Sequence, residues 1–294
     1  MIILSIIILS YNTKDLTLRC IRSIVNQYRK ELEDKILEII VVDNASSDGS
    51  PSEISRLRQD FGGQANLKLI QNKENVGFAK GCNIGAKAAE GKYLLFLNSD
   101  TQVFDRGFFK MTEFLDEYKE VGILGGKILD PDGTLQRSGG KFYDLWNLFL
   151  MLTGGERIGL IRKSPTKIER MDWISGACLM IKKDLFQKLS GFDEHFFMYI
   201  EDMELCFRVK KLGLSTYFFP DVKVKHKTLG SSNKAFAIIN IYKGILYFYS
   251  KHKSYIEYIV AKLFLTAKAA VLIFIGIIAM NSNLRDRYQK ALKF

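Results

Sequence analysis

Residues 36–50 read ILEIIVVDNASSDGS, and the two halves of that stretch make opposite demands. Positions 36–43 are almost wholly aliphatic, the pattern of a strand buried on both faces in a parallel sheet. Positions 43–48 are polar or small and must leave the sheet. Ser50-Pro51-Ser52-Glu53 then supplies a cap residue, a first-turn proline and a glutamate at the third position, which predicts a helix starting at Ser50. Strand, polar turn and helix make one unit of an α/β fold, and the flanking sequence repeats it. Upstream, residues 2–10 read as a strand and 13–28 as a helix, with Leu16, Cys20 and Ile24 at helical spacing. No basic n-region precedes that first apolar run and no small-x-small site follows it, so it is not read as a signal peptide. Downstream, 67–71 is a short strand, 76–90 a helix ended by Gly91, and 92–97 (KYLLFL) a fourth strand. Four strands separated by helices predict a single Rossmann-like, mainly parallel sheet flanked by helices.

In such sheets ligands bind beyond the carboxyl ends of the strands. The residues there are polar in all three clear cases: Ser10-Tyr11-Asn12, Asp43-Asn44-Ala45-Ser46-Ser47-Asp48 and Asn98-Ser99-Asp100. Any one of them also fits an ordinary turn or helix cap; three on one edge point to a ligand site. The first glycine of the chain is Gly49, so no glycine-rich phosphate loop follows strand 1, which excludes dinucleotide-binding dehydrogenases and P-loop enzymes. Gly77, Gly81 and Gly85 recur every four residues on a predicted helix. Lys80, Asn83 and Lys87 rule out membrane pairing there and leave close packing against a ligand or the sheet. Asn98 and Asp100 lie two apart on an extended segment and share a side, an oxygen-rich pair suited to Mg²⁺ or Mn²⁺ held jointly with a diphosphate. Glu201-Asp202 opens a predicted helix. Carboxylates in a first turn often only complement the helix dipole, but one beside Phe196, Phe197 and Tyr199 is also placed to be tuned as a general base.

The chain has 294 residues, 47% hydrophobic and 26% charged, enough for a sizeable core and far from the composition of a disordered chain. Its four cysteines form no C-x-x-C pair, which argues against a disulfide scaffold or a thiolate zinc site. The net charge of +11 is unevenly placed: residues 221–294 hold thirteen Lys and Arg against Asp221, Glu257 and Asp286. The body is thus nearly neutral and the tail basic. With no base-reading motif in that tail, nucleic-acid binding is not expected. The uncharged run at 269–280, AAVLIFIGIIAM, would rise only about 18 Å as a helix, short of a bilayer core of ~30 Å. It suits a helix lying in the interface of an anionic membrane, the other reading being a C-terminal helix packed on the body.

The ordered motifs carry a resemblance. SYN at 10–12, VVDNASSDGS at 41–50, NVGFAKGCNIG at 75–85, LNSD at 97–100, DWISGACLMIK at 172–182, GFDEHFFMYIEDMELCFR at 191–208 and HKTLGSS at 226–232 resemble the family 2 glycosyltransferases of the GT-A fold, in particular the rhamnosyltransferase-like enzymes of bacterial polysaccharide synthesis. The resemblance implies that Ser10, Tyr11 and Asp43 hold the donor nucleoside, with Asn12, Asn44, Gly77, Lys80, Asn83, Asn98 and Ser99 of the same motifs completing the donor site. It implies that Asp100 ligates the metal with His226, that Asp202 is the catalytic base, and that Trp173 lines the acceptor site; Glu201, beside the base, is expected either to bind the acceptor or to orient Asp202. Asn98 stands where the family has the first aspartate of its D-x-D motif, so one negative charge is absent, although an amide carbonyl remains a possible ligand. The implied division is a catalytic domain over 1–232, its donor half about 1–100 and its acceptor half about 101–232, followed by a C-terminal amphipathic helical extension over 233–294. The implied activity is inverting, metal-dependent transfer from a TDP- or UDP-type sugar donor to a lipid-linked saccharide, by a peripheral protein on the cytoplasmic face of the membrane. A sugar nucleotidyltransferase would need the missing glycine-rich loop. A non-catalytic nucleotide-binding subunit stays as the alternative from another class.

Overall fold

The aliphatic runs of the N-terminal third become strands wherever they can be covered on both sides. A computed structural model describes residues 1–60, 66–156, 158–227 and 233–293. It begins β1 (Leu4–Ser10), α1 (Lys14–Glu33), β2 (Leu37–Asp43), α2 (Ser50–Asp60), β3 (Leu67–Gln71), α3 (Phe78–Ala88) and β4 (Tyr93–Leu97), the predicted order with ends moved by a few residues. All seven residues of β2 are buried. α1 runs past its predicted end and bends at Tyr28 (φ −122°, ψ 30°). The start of α2 is covered by Asp48 rather than by the predicted Ser50 hydroxyl: Asp48 Oδ1 accepts the Ser50 N–H at 3.0 Å and its hydroxyl at 2.5 Å. The glycines of α3 face the sheet. A Cβ on Gly81 would fall 2.3 Å from Leu9 Cδ1, and one on Gly85 2.6 Å from Ile7 Cγ2.

The second half continues with β5 (Thr101–Val103), α4 (Phe108–Glu117), β6 (Val121–Leu129), β7 (Gly139–Gly140), α5 (Leu145–Leu152), β8 (Arg162–Lys163), β9 (Glu169–Met171), β10 (Trp173–Ile174), β11 (Cys178–Lys182), α6 (Lys183–Lys188), α7 (Glu201–Lys211) and β12 (Ser215–His226). The main sheet has the order β3-β2-β1-β4-β11-β6-β12-β5, with β9 also on β12. β1 to β4 are mutually parallel where they pair, and β12 is parallel to β6; β11, β5 and β9 run antiparallel to their neighbours. This is a mixed, mostly parallel sheet, and the reversed strand β11 matters most. Its first residue, Cys178, pairs with Leu97 at the end of β4, which delivers the loop before β11 to the carboxyl edge. The register of β12 on β5 sets His226 opposite Thr101, one residue after Asp100.

Three helices close the chain: α8 (Lys234–His252), α9 (Tyr255–Ile278) and α10 (Ser282–Ala291). They are not detached from the body, because Tyr242, Ile245, Phe248 and Tyr249 of α8 and Leu265 of α9 belong to the same core as Phe192, Met203 and Leu205. All but the last two residues of the expected 12-residue apolar run lie in a 24-residue helix, long and apolar enough by length and composition to cross a membrane. The length argument for an interfacial segment therefore fails. The boundary expected at 232, and the end of the HKTLGSS motif at 228–232, lie outside the described residues.

Candidate active site

A cavity of about 650 Å³ opens beyond the strand ends. It is lined by Tyr11, Asn44, Gly77, Asn98, Ser99 and Asp100 of the expected donor and metal motifs, and also by Trp173, Glu201, Asp202 and His226. The remaining expected donor residues do not line it. Ser10 is buried and its hydroxyl is shared with Thr13 and Thr17. Asn12, in the left-handed region at φ 52°, accepts the Ser47 N–H and so ties the loop after β1 to the loop after β2. Lys80 is exposed on α3. Asn83 has a structural task instead: its amide donates to the Phe192 carbonyl at 2.8 Å and accepts the Phe192 N–H at 2.9 Å. Asp43 is buried at the end of β2, where Oδ2 accepts the Ser46 N–H and Oδ1 has no donor.

Asp100 and His226 converge across the edge of the sheet. His226 Nε2 lies 3.2 Å from Asp100 Oδ1 and 3.3 Å from Asn98 Nδ2. The other ring nitrogen is oriented by Gln136, a residue that no sequence pattern singled out. Gln136 Nε2 donates to Asp130 Oδ1 and to the His226 carbonyl, which turns its Oε1 toward His226 Nδ1 at 3.0 Å. An Nδ1–H donated to that oxygen leaves the Nε2 lone pair facing Asp100. Among the described residues no cluster of three His, Cys, Asp or Glu forms, so the protein would offer Asp100 and His226, the number a cation shared with a diphosphate requires.

Asp202 stands in the first turn of α7, half-buried. Its Oδ1 accepts the Met203 N–H at 2.7 Å and its Oδ2 the Gly176 N–H at 2.9 Å, so the loop before β11 holds the carboxylate in place. Loss of solvent raises its pKa, opposed by those two bonds and by Arg162. Glu201 is nearly sealed from solvent and one of its carboxylate oxygens has no donor. Burial, and then the charge of Asp202, push it well above the ordinary carboxylate range. Both carboxyls are pushed upward, Glu201 the further of the two and without the backbone N–H and Arg162 support that Asp202 has, so of the pair Glu201 is the one that keeps its proton to higher pH. Tyr199 and Ile200, immediately before, sit in the left-handed region at φ 71° and 73°, a conformation that a β-branched residue adopts only under constraint. Trp173 gives its indole N–H to the Lys141 carbonyl at 2.9 Å, and Arg162 lies 5.0 Å from its ring. It can therefore offer an acceptor apolar surface but no hydrogen bond. Arg137, Tyr143 and Arg162 also line the cavity and were not anticipated.

The structure thus combines a mixed, mostly parallel sheet with polar strand ends and a cavity lined by an aspartate paired with histidine and by a second carboxylate. Residues 5–190 match the model of Glycosyl transferase family 2, and the chain belongs to that family. It is 25% identical over 227 residues to the N-acetylglucosaminyl-diphospho-decaprenol L-rhamnosyltransferase of Mycobacterium tuberculosis, covering 68% of this chain and 70% of that one. It is 23% identical to the dTDP-rhamnosyl transferase RfbF of Shigella flexneri over 74% of this chain and 68% of the other. Among solved structures, the mannosyltransferase PcManGT from Pyrobaculum calidifontis, in complex with GDP-Man and Mn²⁺, superposes with a TM-score of 0.61 at 18% identity, covering 98% and 85% of the two chains. GalNAc-T7 with UDP, GalNAc and Mn²⁺ gives 0.63 at 18% identity, over 85% of this chain and half of that one.

Proposed function

We propose that this glycosyltransferase inverts the anomeric centre, depends on Mg²⁺ or Mn²⁺, and moves a hexose or deoxyhexose from a TDP- or UDP-type donor to a hydroxyl of a lipid-linked cell-envelope glycan. The observation that carries this reading is that one cavity is lined both by a carboxylate fixed by two backbone N–H groups and by Asp100 paired with His226. Asp202 takes the proton of the acceptor hydroxyl as its oxygen attacks the anomeric carbon from the face opposite the leaving diphosphate, so a single displacement inverts the centre. Glu201, being protonated, keeps a second negative charge away from that oxygen. Asp100 and His226 would hold the divalent cation, which when bound offsets the charge that develops on the departing diphosphate. The mycobacterial relative's name gives a lipid diphosphate acceptor, which supports a similar acceptor here, reached by a protein seated peripherally on the cytoplasmic face of the membrane.

The test is calorimetric titration of UDP and TDP, with Mn²⁺ and with chelator, into the native chain and the Asp100→Ala and His226→Ala variants. Each variant should weaken nucleotide binding tenfold or more with Mn²⁺ present and leave the chelated titration unchanged. Equal losses in both conditions would remove these two residues from the metal site.

A further inference from the structure

The least explained surface lies beside the cavity. α9 fully buries one narrow side, Ala261, Leu265, Ala269 and Gly276, with Phe264, Leu272 and Ile273 part-buried along its flanks. Its other side presents Ile256, Leu263, Ala267, Val271, Phe274 and Ile278 to solvent. At 3.6 residues per turn these six positions form one stripe without a charge, while Lys262 and Lys268 fall to either side of it. A helix that turns its large apolar residues outward reverses the arrangement of a soluble amphipathic helix. α5 continues the surface. Phe149 lies 5.8 Å from Phe264 of α9 and stacks on Trp146 at 5.9 Å, and Trp146 is 66% exposed. The other sides of α5 are committed, Leu148 to the core and Met151 to the cavity wall. One two-turn helix therefore separates the cavity from the open apolar face.

A bilayer and a second copy of the chain are the two occupants to weigh, and charge separates them. Residues 221–294 carry thirteen Lys and Arg against three acids. Two copies joined through this region would set like charges together, whereas an anionic lipid surface complements them. Crossing the bilayer is opposed by packing. A Cβ on Gly276 would lie 2.9 Å from the Arg285 backbone nitrogen of α10, and Phe264 lies against Phe149 of α5, so a spanning α9 would be stripped from both neighbours. Lying in the plane costs none of these contacts.

We propose that α5 and α9 together form a docking face for an anionic bilayer, with Trp146 and Phe149 as its anchor on the catalytic body, which holds the mouth of the cavity beside Met151 at headgroup level. The docking does not depend on the reaction; its use in catalysis rests on the lipid-linked acceptor proposed above. The chain has two tryptophans and Trp173 is buried, so a change in emission on adding lipid reports Trp146. With vesicles of phosphatidylcholine and phosphatidylglycerol, the full-length chain should sediment, shift its emission to the blue and be quenched by brominated lipid; pure phosphatidylcholine or high salt should weaken all three. Trp146→Glu with Phe149→Glu should lower partitioning at least tenfold while leaving Mn²⁺-dependent UDP or TDP binding, measured without vesicles, unchanged. Sedimentation without bromolipid quenching, or unaltered partitioning of a folded double variant, would remove α5 from the face. A dimer by light scattering that ignores vesicles would assign the face to a second copy. Should the double variant melt early, quenching in the native chain decides alone. Absence of nucleotide binding in the native chain would sink the donor reading and leave the docking result standing.

Discussion

Asp202 and Glu201 are adjacent in sequence and opposite in environment, and two predictions follow from that contrast. Asp202 has two backbone donors and faces the cavity; replacing it with Asn keeps the shape but removes the proton acceptor. Asp202→Asn should lower turnover by about 10²–10⁴ with donor affinity preserved, measured by steady-state kinetics beside nucleotide titration. Glu201 is held protonated by burial and by its neighbour's charge. A folded-state pKa above the unfolded one gives stability that is complete below the unfolded value and is lost as pH rises through the folded value. Glu201→Gln mimics the protonated form, so the variant should match the native chain in acid and melt above it in alkali, by roughly 2–4 °C for each kcal/mol recovered. Equal melting temperatures at both extremes would place the proton elsewhere. Asp100, Asp202 and His226 were legible in the sequence because each ends a strand or opens a helix within an ordered motif. Gln136 was not, because its partner His226 is 90 residues away and only the pairing of β12 with β5 and β6 joins them.

At the scale of elements, the helix that carries Asp202 is fastened from behind. Glu204, fully buried on α7, meets Arg208 at 2.8 Å, Lys251 at 2.8 Å and His252 at 2.9 Å, the last two from the end of α8. Burial alone would raise its pKa, but these three partners override that and hold it at about 2. Gly244 of α8 presses on the strained turn ahead of α7: a Cβ there would lie 2.9 Å from Ile200 Cγ1. Replacing Glu204 with Ala removes the acceptor these three donors share, while Arg208 keeps the Leu189 and Gly191 carbonyls and Lys251 keeps Asp193, and should cost about 1.5–3 kcal/mol in a denaturant titration. For the native chain, a depressed carboxylate contributes stability above its ordinary value of 4.5 that is lost as pH falls toward about 2, so the variant should show a flatter acid limb. The same elements show where sequence reading stopped. The first four strands were legible because each is a continuous aliphatic run with a polar exit. β11 was not ordered by any local signal, since its antiparallel insertion between β4 and β6 is decided by pairing across more than 50 residues.

For the whole molecule, the question is where the catalytic body ends. A basic, apolar tail reads as an appendage, because composition changes abruptly and no motif of the reaction lies beyond His226. The structure distributes that tail unequally. α8 reaches the base helix through Gly244, Lys251 and His252, whereas α9 and α10 touch the body through α8 and α5. Truncation after Ser254 should then leave a folded sheet that still binds nucleotide with Mn²⁺. It uncovers Tyr242 and the outer side of α8, so the melting temperature should fall by roughly 5–15 °C, a loss of several kcal/mol at about 2–4 °C each. Truncation after Asn233 removes α8 as well, depriving Glu204 of its Lys251 and His252 partners and Ile200 of its backing, and should yield no cooperative melt. Thermal melts of the two truncations with and without nucleotide separate the alternatives. If the Ser254 truncation melts with the full chain, α9 and α10 contribute nothing to the fold and act only outside it. If the Asn233 truncation folds and binds nucleotide, the fastening of α7 by α8 is dispensable and the left-handed turn at Tyr199 and Ile200 persists without Gly244 behind it.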